Sequence, residues 1–161
     1  MAINNFSWVI PNKLSGSALP GGYNCDEPAH VEEDLRDLFD RGVRCLVSLQ
    51  EVAPFFGELC SSVKMEWIPF FFPDFGVPSQ PQEFSTLIAS IITKMDQHIP
   101  VCIHCRAGVG RTGLVLACAV GDYLTLAPTA AISAVRKNRM ALDTPTQEAY
   151  VRDYLSKYRQ P

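Results

Sequence analysis

The chain has 161 residues, 47% of them hydrophobic and 19% charged, with a formal net charge of −3. That length makes a single domain, large enough to bury roughly two-thirds of the surface its unfolded chain exposes. The negative balance argues against nucleic acid as a bulk partner, which needs a basic face, and no apolar run approaches the ~20 residues that span a bilayer.

Met1 to Ile10 is polar and aromatic, without the basic region of a leader. Ala2 stands where N-myristoylation needs glycine, and Arg159-Gln160-Pro161 carries no prenylation cysteine. The cytoplasm is the expected compartment, with the nucleus open to so small a protein, and the chain is expected to act as a monomer away from membranes. The cysteines are Cys25, Cys45, Cys60, Cys102, Cys105 and Cys118. Their number is even, but the length, the regular core pattern and the lack of a secretion signal argue against a disulfide framework. Cys102, His104 and Cys105 resemble half of a zinc site. The ligands left to complete it, His30 and His98, are isolated, so neither a metal nor another cofactor is expected.

Ser7 to Ile10 reads as a short strand, followed by a stretch with Gly16, Pro20, Gly21 and Gly22 that reads as loop. Val31, Leu35, Leu38 and Phe39 recur at helical spacing within Pro28 to Arg41, and Gly42 stops that helix. Val43 to Leu49 and Val63 to Phe70 read as strands. Ser79 opens a helix through a capping box with Gln82, with Pro81 in its first turn. The apolar face of that helix is Phe84, Leu87, Ile88, Ile91, Ile92 and Met95. Val101 to His104 is a short buried strand, followed by helices over Gly110 to Leu124 and Pro128 to Asn138. Thr144 opens the last helix through a box with Gln147, and its face is Tyr150, Val151, Tyr154 and Tyr158. The pattern predicts one α/β domain with a sheet of four or five strands flanked by helices.

The segment from Ile103 to Gly113 carries the chemistry. Five residues separate Cys105 from Arg111, Gly108 and Gly110 lie between them, a strand precedes and a helix follows. Such a loop turns the backbone N–H groups of Arg106, Ala107, Gly108, Val109 and Gly110 around one centre. It places a thiol below, a guanidinium at the rim and the positive end of a helix beside them. A phosphate dianion fits that bowl, and Arg111 offers it a two-pronged fork that Lys lacks. The same field favours thiolate over thiol, which makes Cys105 the candidate nucleophile. The alternative for Cys105 is a buried apolar residue, but His-Cys-x-x-Gly-x-x-Arg-Thr-Gly fixes too many residues for chance. Thr112 is placed to hydrogen-bond the sulfur and help expel it; otherwise it bonds backbone in the first helical turn. His104 is expected to support the loop through its ring rather than act as a base.

The leaving oxygen needs a proton, and Phe72-Pro73-Asp74-Phe75-Gly76-Val77-Pro78 supplies one acid on a loop bounded by Pro and Gly. Asp74 is the candidate general acid for the first step and general base toward water in the second. Its alternative is a turn-forming Asp after Pro. Phe75 is placed either to line the rim against an aromatic substrate or to pack into the core.

This loop, the Pro-Asp-Phe segment and the opening Asn5-Phe6-Ser7-Trp8-Val9-Ile10-Pro11 resemble the small dual-specificity phosphatases of the cysteine-dependent protein tyrosine phosphatase superfamily. Val43 to Leu49 and Asp143-Thr144-Pro145-Thr146-Gln147-Glu148 are similar too, so the resemblance spans nearly the whole chain. It implies the protein tyrosine phosphatase-like fold, a central mixed sheet flanked by helices with the loop at its C-terminal edge. It also implies a phosphocysteine intermediate on Cys105, Arg111 and Asp74 in the roles argued above, no metal, and phosphorylated proteins as substrates. By the same analogy Gln147 stands where some members place a water-positioning glutamine, although capping explains it equally well. Gly21 to Glu33 is longer than the corresponding stretch of the small relatives. Arg106 adds a positive charge at the mouth, but Val109 withholds the second one that a polyphosphoinositide would use. Arg136, Lys137 and Arg139 either supplement that charge or form an ordinary solvated helix end. The competing functions are a phosphoinositide or RNA 5′-phosphate phosphatase, a non-catalytic phosphate-binding adaptor, and an arsenate reductase or sulfurtransferase.

Overall fold

The computed structural model describes residues 2–159. Met1, Gln160 and Pro161 lie outside the described residues, and with them parts of the two chain ends read above. Five strands form one mixed sheet: β1 (Ser7–Ile10), β2 (Leu14–Ser17), β3 (Cys45–Ser48), β4 (Glu66–Pro69) and β5 (Val101–His104), in the order β1-β2-β5-β3-β4. β1 pairs antiparallel with β2, and the other neighbours are parallel. The helices are α1 (Pro28–Asp40), α2 (Phe56–Ser62), α3 (Pro81–Asp96), α4 (Gly110–Leu124), α5 (Pro128–Arg136) and α6 (Pro145–Asp153), which runs into a π-helical turn, Tyr154–Tyr158.

Strand alternation divides the interior. Val101 and Ile103 face the larger core with Phe84, Ile88 and Ile91 of α3, whereas Cys102 joins the smaller one with Leu35 and Leu38 of α1. The nucleophile candidate Cys105 is in the larger cluster and Cys102 in the smaller, so the sheet separates their sulfurs. α4 is buried without a break from Gly110 to Gly121. A helix apolar on all sides belongs between layers, and α4 contacts α3, α5, α6 and the sheet. Among the described residues no single helix is long and apolar enough to cross a membrane.

Several expectations are corrected. The stretch through Gly16, read as loop, contains β2. Gly16 is bare because its surroundings demand it: a Cβ there would lie 2.9 Å from Cζ of Arg139 and 3.0 Å from a Leu116 methyl. Ser15, also buried, donates its hydroxyl to the carbonyl of Val101 at 3.0 Å. The short helix α2 was not legible as a periodic pattern, since only Phe56 and Cys60 mark its buried side. α3 is capped by Gln80 with no side-chain bond, so the Ser79 box does not form and Pro81 opens the helix. At α6 the Thr144 hydroxyl does accept from the Gln147 N–H at 3.1 Å. α5 stops at Arg136, two residues short of Asn138. Tyr158 lies outside the packed face, because the π-helical turn changes the register after Tyr154.

Candidate active site

β5 lies between β2 and β3, both parallel to it, so His104 and Cys105 leave the sheet at the centre of its C-terminal edge. His104 is fully buried. One ring nitrogen, Nδ1, lies 2.9 Å from the carbonyl oxygen of Cys105, which can only accept. Nδ1 therefore carries the proton, and Nε2 accepts from the Ser48 hydroxyl at 2.5 Å. The Trp67 indole N–H donates to that same hydroxyl oxygen at 2.8 Å. The three donors run in one direction only with the ring neutral. Burial, the larger cause, and the nearby Arg111 charge lower the His104 pKa to about 4, partly opposed by the Cys105 carbonyl.

The carbonyls of the next residues are each held from outside. Arg106 O accepts from the Leu19 N–H at 3.0 Å, and Ala107 O accepts from the Asn5 side-chain amide at 2.9 Å. Gly108 O accepts from Arg139 at 2.7 Å, and Val109 O from the N–H groups of Gly113 and Leu142 at 2.9 and 3.0 Å. In a planar trans peptide the N–H points opposite to the C=O. Five carbonyls turned out therefore turn the N–H groups of residues 106–110 in, around Cys105, where the start of α4 adds the positive end of its dipole. Gly108 is required: its φ is +80°, and a Cβ would lie 2.5 Å from the Ser17 carbonyl. At Gly110 a Cβ would run into the Asp143 carboxylate.

Arg139, read either as a supplement to the charge at the mouth or as part of a solvated helix end, is buried instead. Its guanidinium donates to Ser7 Oγ, Gly16 O, Asn5 O and Gly108 O. No carboxylate pairs with it in these bonds, and burial lowers its pKa. It is the bolt behind the loop from Cys105 to Gly110. Arg136 is half-exposed and donates to Ala141 O and Glu148.

Arg111 was expected at the rim, yet it is only 3% exposed. It lies beneath the loop that carries Asp74, donating to Phe72 O at 3.1 Å and to Gln50 Oε1 at 2.9 Å. One terminal nitrogen is 3.4 Å from the Asp74 carboxylate, and Nε has no partner. Asp74 is half-exposed and divides two openings: a cleft of about 510 Å³ shared with Cys105, and a recess of about 360 Å³ shared with Arg111 and Gln50. Cys105 is 3% exposed at the cleft floor, and Arg106, Ala107, Val109 and Gly110 line it.

Phe75 belongs to the cleft wall and not to the core: it is 62% exposed and has φ +61°. Tyr23 and Met140, also exposed, join it there. Tyr23 brings the 21–33 segment to the cleft. Thr112 is fully buried, and its hydroxyl bonds nothing, so the alternative of a backbone bond is not realised. Gln147 is buried with both ends of its amide on backbone, at Asp143 N and Gly76 O. Asn5, Gln50, Ser48, Trp67 and Asp143 were not singled out by sequence reasoning. Only Asp143, beside the Thr144 cap, had a local signal. Among the described residues no group of three or more His, Cys, Asp or Glu side chains is placed to hold a metal, and the described cysteines are all free.

Comparison with known proteins gives a consistent picture. A viral protein described as a candidate tyrosine phosphatase, 067L of invertebrate iridescent virus 3, is 28% identical over 137 residues, which are 83% of this chain and 53% of that protein. Tyrosine-protein phosphatase 1 of Caenorhabditis elegans is 30% identical over 95 residues, 55% of this chain and 9% of its own length. The chain thus spans about half the viral relative and a small part of the nematode one. Among solved structures, kinase associated phosphatase (KAP) with its catalytic-site cysteine replaced by serine superposes with a TM-score of 0.81 at 21% identity, covering 98% of this chain and 96% of that one. Tk-PTP in its active form gives 0.79 at 21%, covering 95% and 97%. These two share the fold. Residues 3–157 match the family described as Swiss Army Knife protein, DSP-PTPase phosphatase domain (PTP-SAK), and the chain belongs to that family of phosphatase domains within the protein tyrosine phosphatase superfamily.

Proposed function

We propose that the domain hydrolyses phosphate monoesters on proteins, phosphotyrosine first and phosphoserine or phosphothreonine where the cleft admits them, without metal. The observation that carries this reading is the set of five outward carbonyls, which leaves five N–H groups to a dianion directly above a thiol. In the first step Cys105 Sγ bonds to phosphorus, the ester P–O bond breaks, and Asp74 gives its proton to the departing oxygen. Water then attacks the phosphocysteine, Asp74 takes the water's proton, and Cys105 leaves as thiolate with release of inorganic phosphate. The N–H groups and Arg111 meet the charge on the transferring oxygens, and the unpartnered Arg111 Nε–H is a donor left over for it. The unpartnered Thr112 hydroxyl is likewise available to the sulfur as it leaves.

Tyr23, Phe75 and Met140 give the cleft an apolar rim that favours an aryl ester. A polyphosphorylated headgroup would need further cations. Arg139 is locked behind Gly108, and Arg136 is already bonded to Ala141 and Glu148.

The test is a panel of an aryl phosphate, phosphotyrosyl and phosphoseryl peptides, inositol phospholipids and a 5′-triphosphorylated RNA, assayed with a chelator present. Wild type is expected to turn over the aryl phosphate and phosphotyrosyl peptide, and Cys105→Ser to lose at least about a thousandfold. An inert wild type that still binds phosphate would replace the enzyme with an adaptor. Preference for the lipid or the RNA would overturn the protein substrate.

A further inference from the structure

Gly76 N–H returns to Pro73 O at 2.9 Å, so residues 73–76 close one turn with Asp74 and Phe75 at its tip. The base of that turn is held from α6: Gln147 Nε2 donates to Gly76 O at 3.1 Å. The other end of the Gln147 amide accepts from the Asp143 N–H at 2.8 Å, which fixes the side chain against the start of α6. Gln147 is fully buried, and its Oε1 lies 3.2 Å from where a Cβ on Gly110 would stand. One side chain therefore ties the acid loop to the segment that opens α6, beside Gly110.

A second tether enters from the other side. Arg111 donates to Phe72 O at 3.1 Å and approaches the Asp74 carboxylate at 3.4 Å. Under the hydrolytic reading Arg111 is also the phosphate clamp, so substrate competes for it at the moment the acid must be in place. Substrate does not compete for Gln147. Its partners are two backbone groups outside the bowl of N–H groups.

We propose that Gln147 is a positioning residue for the general acid, aiming Asp74 at the leaving oxygen by holding the base of its turn. This rests on the hydrolase reading. It differs from the water-positioning role expected above, because both ends of the amide are already bonded.

The two roles fall on different chemical steps. Gln147→Glu keeps an acceptor for Asp143 N–H but sets an oxygen against Gly76 O; Gln147→Met removes both bonds and nearly keeps the volume. The expected losses in kcat/KM grow with the pKa of the leaving group, from about twofold for 4-nitrophenyl phosphate to about tenfold or more for phenyl phosphate, with KM little changed. In an Asp74→Asn background the same substitutions should add less than about twofold, because there is no acid left to aim. Melting curves check that each variant is folded. Equal losses for all leaving groups, or full additivity with Asp74→Asn, would overturn the proposal in favour of a structural role. Accumulation of phosphoenzyme without leaving-group dependence would overturn it in favour of water positioning. If Asp74→Asn itself leaves phenyl phosphate turnover intact, the underlying assignment of the acid fails, which is a separate result.

Discussion

The phosphate loop and the acid loop meet over the same thiol but are built in opposite ways. From Cys105 to Val109 every carbonyl has a donor, and those donors come from residues as far apart as Asn5, Leu19, Arg139 and Leu142. The acid loop has one internal turn and two side-chain tethers, with Asp74 half-exposed and Phe75 largely so. The first is over-determined by the fold. The second is held at a few points, which suits the proton delivery and return proposed for Asp74. A residue in the first is constrained by its neighbours, and a residue in the second by its task.

The sharpest way to break this contrast is to perturb the rigid side. Gly108→Ala would set a methyl 2.5 Å from the Ser17 carbonyl at φ +80°. The expected result is destabilisation of about 3 kcal/mol or more by denaturant melts, with activity on 4-nitrophenyl phosphate down at least about a hundredfold. Asp74→Asn should act on the other side alone. Turnover of phenyl phosphate is expected to fall about a hundredfold or more, while stability stays within about 0.5 kcal/mol. A large stability loss there would erase the contrast.

A pH titration sharpens it further. His104 is neutral inside the fold with a pKa near 4, against 6.5 for an ordinary histidine. Between those values the unfolded chain binds more protons than the folded one, so stability rises with pH. The stability is complete above about pH 6.5 and is lost as pH falls toward 4, by about 3 kcal/mol for this residue. His104→Asn, which retains an amide donor, should flatten that part of the curve in melts taken from pH 7 to 4. An unchanged curve would mean that another group sets the acid limb. The smallest effect is expected at Phe75→Gly. Relief of φ +61° should leave the melting temperature equal or slightly raised, within about 1 kcal/mol, while KM for aryl phosphates rises a few-fold.

The same contrast governs what was legible in the amino-acid sequence. Cys105, Arg111, the glycines and the start of α4 are contiguous, so their spacing alone describes a bowl. Asp74 stands out because Pro and Gly isolate it. What holds the bowl was not legible: Asn5 and Arg139 reach Ala107 and Gly108 from 102 and 31 residues away, and no local pattern records such a pairing. Arg139 reads as a surface charge until Gly16 is seen to make room for it. β2 was hidden for the same reason, since Gly16 is bare to make room for Leu116 of α4 and for Arg139, and with Ser15 and Ser17 beside it the strand lacks the bulk that marks one. Arg111 was recognised but expected at the rim, because its spacing says nothing of Gln50, 61 residues away.

The chain of donors from Trp67 through Ser48 and His104 to the Cys105 carbonyl has an optical consequence. The face of the Trp67 ring is closed by Gly57, where a Cβ would lie only 2.9 Å away, and an edge of its environment is set by Phe56 at 5.7 Å. The indole N–H is thus linked through Ser48 and His104 to the peptide of Cys105, the proposed nucleophile. Under the proposed mechanism, a shift of that peptide when the sulfur is phosphorylated would repolarise this chain of donors and reach the fluorophore. Trp8, the other tryptophan, stands apart against Phe6. Emission from a Trp8→Phe protein would then report the state of Cys105 without a label.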